Sequence, residues 1–304
     1  MDTLQAFAHD LAHAPLPGTH RLAGPKTQAE YLRDVSLFAT WFTQTTGDAF
    51  HPARVTRADL RDYIAFLRSR GRKPATIRRK FAALRAFFAW ARLRGDMVDD
   101  PTAGIVLPKV QPLAPRGLQP AERRALLRAI NRPLRDTPTA RLRAVRDRAL
   151  IILLMEAGPR VSEVVAARLG DLEISPRKGS LRIREGKGDK ERRIALPLET
   201  RRALQAWLEV RPEVAHDRLF TTARKPFGPL SVRGVQAIVA EAGRRAGLDG
   251  LSPHVLRHTA VYTWKAAGVD PFVIAAQFGH ESLETTQRYG RPRLTDLHRA
   301  AARV

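Results

Sequence analysis

Residues 106–120 read Val106-Leu107-Pro108-Lys109-Val110-Gln111-Pro112-Leu113-Ala114-Pro115-Arg116-Gly117-Leu118-Gln119-Pro120. Four prolines so closely spaced forbid a continuous helix, because each ring removes a backbone donor and clashes with the turn before it. Residues 106–117 therefore predict an extended linker between two folding units. On the N-terminal side the apolar residues recur at helical spacing. Tyr31, Val35, Phe38 and Phe42 mark one helix, and Leu60, Ile64 and Leu67 mark a second that Gly71 stops. A third starts near Pro74 and aligns Ile77, Phe81, Leu84 and Phe88, with Arg78, Arg79, Arg85 and Arg92 on its other side. Residues 27–105 thus read as an all-helical domain. Residues 1–26, with Pro15, Pro17, Gly18, Gly24 and Pro25, read as a flexible N-terminal arm with a short helix around Leu4 to Leu11.

The C-terminal side, 118–304, is mostly helical with a small antiparallel β patch. Helices are expected at Pro120–Ile130, Leu142–Ala157, Glu199–Val210, Ser231–Ala246, His254–Ala267 and Pro271–Phe278. Leu294–Val304 is expected as a last short amphipathic helix. Between them, Leu181–Arg184 and Glu191–Leu196 alternate apolar and charged residues around a Gly186-Lys187-Gly188-Asp189 turn, the pattern of a hairpin. The fold class is mainly α, in two domains.

Charge narrows the function. The 304 residues carry 53 Lys and Arg against 30 Asp and Glu, a formal net charge of +23. Residues 1–117 contribute +8 and residues 118–304 contribute +15. Such an excess points both domains at a polyanion, nucleic acid before an acidic membrane surface. Forty-four of the cations are Arg, whose planar fork matches phosphate. No cysteine occurs, which excludes disulfides, thiol nucleophiles and Cys-held zinc and fits a reducing cytosol. The longest apolar run, Ala149–Met155, is too short to span a bilayer. Met1-Asp2-Thr3-Leu4 opens no secretion signal, so a cytoplasmic location is expected.

With Arg this common, a lone Arg carries little information; the nine His carry more. In His254-Val255-Leu256-Arg257-His258 one helical turn brings His254, Arg257 and His258 to one face. That face could be plainly polar, or a zinc pair, though no HExxH pattern or third ligand accompanies it. In Ala157-Gly158-Pro159-Arg160-Val161-Ser162-Glu163 the Gly-Pro step breaks one helix and Ser162 could cap the next, leaving Arg160 at the junction. Gly186-Lys187-Gly188 lacks the GxxxxGK[ST] pattern and a following helix, so it is no nucleotide loop. A hairpin-tip Lys can instead reach into a groove. Gly279-His280-Glu281-Ser282 precedes Tyr289, a position that half-buried packing would also explain.

Taken in order, R-x-x-E, a GKG hairpin, H-x-x-R-H and G-H followed by Y resemble the tyrosine recombinase (phage integrase and Xer) family over nearly the whole chain. The resemblance implies a SAM-like core-binding domain for 27–105 and a catalytic domain for 118–304 with a C-terminal oligomerisation helix. It places Arg160, Lys187, His254, Arg257, His280 and Tyr289 at the family's catalytic positions, with Glu163 and His258 in support. Arg72, Lys73, Thr76, Arg78 and Arg79 fall where the family grips DNA. The implied activity is site-specific, metal-independent strand breaking and rejoining through a 3′-phosphotyrosyl link, with no cofactor. The implied partners are double-stranded DNA with an inverted-repeat site, and a tetramer of this chain or a paired recombinase, with no membrane. Xer-like dimer resolution and integration of a mobile element both fit. A type IB topoisomerase and a catalytically silent DNA-binding protein are further readings. Three departures stand out: Pro159 and Phe278 where Leu is usual, and Gly290-Arg291 after the Tyr in place of Thr-His.

Overall fold

The computed structural model describes residues 3–17, 22–110, 116–131, 137–184 and 191–279. The chain divides into two compact units, 1–112 and 113–304.

The first unit is built from α1 (Thr3–His13), α2 (Pro25–Thr46), α3 (Arg57–Ser69) and α4 (Pro74–Leu93). The apolar stripe of α4 is its core: Ile77, Phe81, Leu84 and Phe88 are buried, while Arg78, Arg79, Arg85 and Arg92 are exposed. Thr56 caps α3, its hydroxyl accepting the Asp59 N–H while the Asp59 carboxylate accepts the Thr56 N–H, a reciprocal capping box. The core is aromatic, with Phe38 edge-on to Tyr63 at 5.0 Å between ring centres.

The flexible arm expected at the N-terminus is corrected over its first part. Helix α1 buries Ala6, Phe7 and Leu11 in the same core. Phe7 lies edge-on to Phe87 at 5.2 Å, and the Trp90 indole donates to the Asp10 carboxylate at 3.0 Å. A fully buried ring and a matched polar contact outweigh the entropy of a loose end; the Pro- and Gly-rich composition that signalled looseness begins only after α1.

The second unit carries α5 (Pro120–Ile130), α6 (Pro138–Ile152), α7 (Val161–Ala166), α8 (Leu198–Val210), α9 (Val232–Arg245), α10 (Pro253–Ala266) and α11 (Pro271–Phe278). Its sheet has strands β1 (Leu172–Ile174), β2 (Gly179–Ile183) and β3 (Arg192–Ala195) in the order β1-β2-β3, all antiparallel. Leu181 faces Ile194 across β2 and β3, and both are buried. The expected hairpin strands are these two; β1 is too short to leave a periodic signal. The turn between them, with Lys187, lies outside the described residues, as does the expected helix Leu294–Val304.

The helix expected over Leu142–Ala157 differs at both ends. It starts at Pro138, where Thr137 caps the Ala140 N–H. After Ile152 it widens into a π turn, Leu153–Ala157, in which the Gly158 N–H reaches back to the Leu153 carbonyl. No described helix is long and apolar enough to cross a membrane.

Candidate active site

The π turn determines where Arg160 stands. Gly158 ends it in the left-handed region at φ 65°, and a Cβ there would overlap the Phe278 ring. Glycine is thus required twice, for its backbone and for the close approach of α11. Helix α7 starts at Val161 with Arg160 in the N-cap position. Ser162, expected as the cap, is not one. The Glu163 carboxylate takes the orphan Arg160 N–H at 2.7 Å, a longer side chain bridging three residues.

Two guanidinium groups from separate elements then meet at one spot. Arg160 donates through Nη2 to the Gly279 carbonyl at 2.7 Å. Arg257, buried on α10, donates to the carbonyls of Phe278 and Gly158, and its guanidinium lies 5.5 Å over the Phe278 ring centre. Adjacent carbonyls at the end of α11 are therefore held by the two arginines. Helix α11 is also pinned by buried Gln277, which accepts the Ala195 N–H of β3 at 2.9 Å and donates to the carbonyls of Ala157 and Ala195 at 3.1 Å.

Glu163 is the carboxylate of this cluster, only 3% exposed. It accepts Arg160 Nη1 at 2.9 Å and both Nη atoms of Arg192 at 3.0 and 2.9 Å. Burial by itself would raise its pKa. The hydrogen bonds from Arg192 and from the Arg160 backbone outweigh that and hold it below the ordinary carboxylate range. Two guanidinium groups, those of Arg160 and Arg192, share this one carboxylate, so the spot keeps a positive charge suited to an anion.

His254 lies in the first turn of α10, exposed, one turn before buried Arg257; His258 is half-buried. Burial, and then the charges of His254 and Arg257, push His258 below its ordinary value, so it favours the neutral imidazole. The structure thus brings Arg160, Glu163 and Arg257 together and sets His254 and His258 on the same helix as Arg257. Lys187, His280 and Tyr289 lie outside the described residues, though His280 directly follows the carbonyl that Arg160 holds. In the first unit, Arg72, Lys73 and Arg78 are exposed and Thr76 half-buried at the start of α4. Arg79 is partly committed, donating to buried Asp34 at 2.5 Å beside Lys80 at 2.6 Å.

Two site residues were missed by sequence reasoning. Arg192 disappears among 44 arginines. The usable signal was strand period: Arg192 shares a face with buried Ile194, and an inward Arg needs a buried carboxylate. Gln277 sits among apolar residues of α11 and gave no pattern at all.

The sequence profile of the phage integrase family matches residues 116–294, more than half of the chain. The profile of the phage integrase N-terminal SAM-like domain matches residues 20–95. The chain belongs to the phage integrase family, the tyrosine recombinases. Its relatives include the tyrosine recombinase XerC of Pelobacter propionicus, 34% identical over 292 residues, covering 95% of this chain and 90% of that protein. The tyrosine recombinase XerD of Xanthomonas axonopodis pv. citri is 33% identical, with 90% of each chain covered. Among solved structures, the XerH site-specific recombinase bound to difH substrate shares the fold with a TM-score of 0.72 at 19% identity, over 99% of this chain and 94% of that one. A lambda integrase dimer bound to a COC′ core site gives 0.70 at 17% identity, over 96% and 95%.

Proposed function

We propose that this chain is an Xer-like site-specific recombinase that cuts and rejoins DNA through Tyr289. The observation that carries the reading is the convergence of Arg160 and Arg257 on adjacent carbonyls immediately ahead of the His280…Tyr289 segment. Donors that hold carbonyl oxygens in this way suit the non-bridging oxygens of a phosphodiester. Their charge stabilises the pentacoordinate transition state, and no ATP is needed because the new ester keeps the energy of the old one.

In the proposed step the Tyr289 Oη attacks phosphorus, forming the Oη–P bond as the P–O5′ bond breaks. His254 helps to take the phenolic proton, and His280 adds a donor to the same phosphate. Lys187 gives a proton to the departing O5′, leaving a 3′-phosphotyrosyl link and a free 5′-hydroxyl. Attack by the 5′-hydroxyl of another strand reverses the bonding and completes exchange. Glu163 and His258 support the arginines. Arg72, Lys73, Thr76, Arg78 and Arg79 meet DNA phosphates and set register. The working assembly is a tetramer of this chain, or of this chain with a paired recombinase, on two inverted-repeat duplexes in the cytoplasm; residues 294–304 dock between subunits. Dimer resolution is favoured over integration of a mobile element because XerC and XerD relatives match along 90% or more of this chain.

The test is to incubate the protein with a pool of nicked suicide duplexes, trap SDS-stable adducts and sequence the DNA. Enrichment of one inverted-repeat site is expected, and a plasmid bearing two copies of it should be resolved into two circles. Adducts without enrichment would replace this reading by a topoisomerase. Specific binding without adducts would make the chain a silent DNA-binding protein.

A further inference from the structure

We infer that Arg192 is a positioning residue for strand cleavage, keeping Arg160 available to the phosphate by balancing the charge of Glu163. This rests on the recombinase reading above. Arg192 is 15% exposed and stands on β3, the return strand of the hairpin whose turn contains Lys187. Its fork meets both oxygens of Glu163, Nη1 to Oε1 and Nη2 to Oε2. The same two oxygens take the Arg160 guanidinium and the Arg160 backbone N–H. A Cβ on Gly279 would lie 2.9 Å from the Arg192 Cζ, so the guanidinium also packs flat against the residue that precedes His280.

The charge count gives this geometry a purpose. A buried Glu163 facing Arg160 alone would form a closed one-to-one ion pair and draw the guanidinium inward. With Arg192 bidentate on the carboxylate, the pair Arg192–Glu163 is neutral and the charge of Arg160 is left for the transition state. Arg192 touches no reacting atom in this scheme. It acts through Glu163, so its loss should slow the chemical step more than it weakens DNA binding.

The experiment compares wild type, R192M, R192K and R192M/E163Q on the nicked duplex selected by the wild-type protein. It reads the first-order rate of adduct formation at saturating protein, the half-saturating concentration and the melting temperature. R192M should be slower by about 10–100-fold with nearly unchanged half-saturation. R192K, which keeps the charge but not the fork, should fall between the two. R192M/E163Q should be no slower than R192M, because deleting the charge of Glu163 frees Arg160 from capture. An R192M rate within about twofold of wild type would overturn the inference. So would additive slowing in the double variant, or losses of binding and melting temperature that account for the rate in R192M and R192K alike. No adduct from the wild type would overturn the recombinase reading itself, and this inference with it.

Discussion

Gly158 concentrates the site's backbone demands in one residue. A Gly158→Ala change places a Cβ in a left-handed residue, costing about 1–2 kcal/mol, and drives it into Phe278. Urea unfolding should show at least that loss, with cleavage reduced because the Phe278 and Gly279 carbonyls shift off the arginines. Glu163 supplies a pH signature. Its carboxyl is held below the ordinary range when folded, so the unfolded chain takes up its proton first as pH falls. Its contribution to stability is therefore whole at neutral pH, begins to fall near the ordinary carboxylate value and is gone below the lowered one. Unfolding free energy measured against pH should drop less steeply through the acid range in Glu163→Gln than in wild type. At this scale the sequence was informative where residue types are rare or paired in a motif, as with Arg160, Glu163, His254 and Arg257. It marked Arg192 only through its place on the face of Ile194 and was silent on Gln277, and both roles depend on partners distant in sequence.

Helices with wide apolar stripes were readable because burial and period coincide; α4 is the clearest case, with its arginines outward and its rings inward. Helix α1 was expected, but its docking was not, because the composition after it outweighed three buried residues within it. Its docking gives a direct test: Phe7→Ala should cost the first unit about 3–5 kcal/mol in chemical denaturation, whereas a loose arm would leave stability unchanged. The π turn could not be foreseen, since the insertion is fixed by Gly158 bonding back to Leu153 and by Trp264 donating to the Glu156 carbonyl at 2.9 Å. At the base of the hairpin, buried Asp171 accepts Arg184 Nε at 2.6 Å and Arg182 Nε at 3.2 Å. That anchor fixes the end of β2 next to the turn bearing Lys187. As the proposed general acid, Lys187 should matter most for a poor leaving group. Lys187→Ala should slow cleavage of ordinary DNA yet cleave a 5′-thio substrate at nearly the wild-type rate; equal slowing on both substrates would assign the acid elsewhere.

Over the whole molecule, two basic units in one chain fit a partner that spans both. The division at 112/113 falls within the proline-rich stretch. The family's catalytic and SAM-like profiles each match one side of it. What charge alone could say was "polyanion"; the family relationship and the paired arginines narrow that to phosphodiester chemistry through a tyrosine. The most direct test is to digest the SDS-stable DNA adduct formed in EDTA and locate the attached nucleotide by mass spectrometry. A phosphodiester on Tyr289, formed without metal and absent from Tyr289→Phe, is expected. Attachment at another residue, or cleavage only when a divalent metal is supplied, would contradict it.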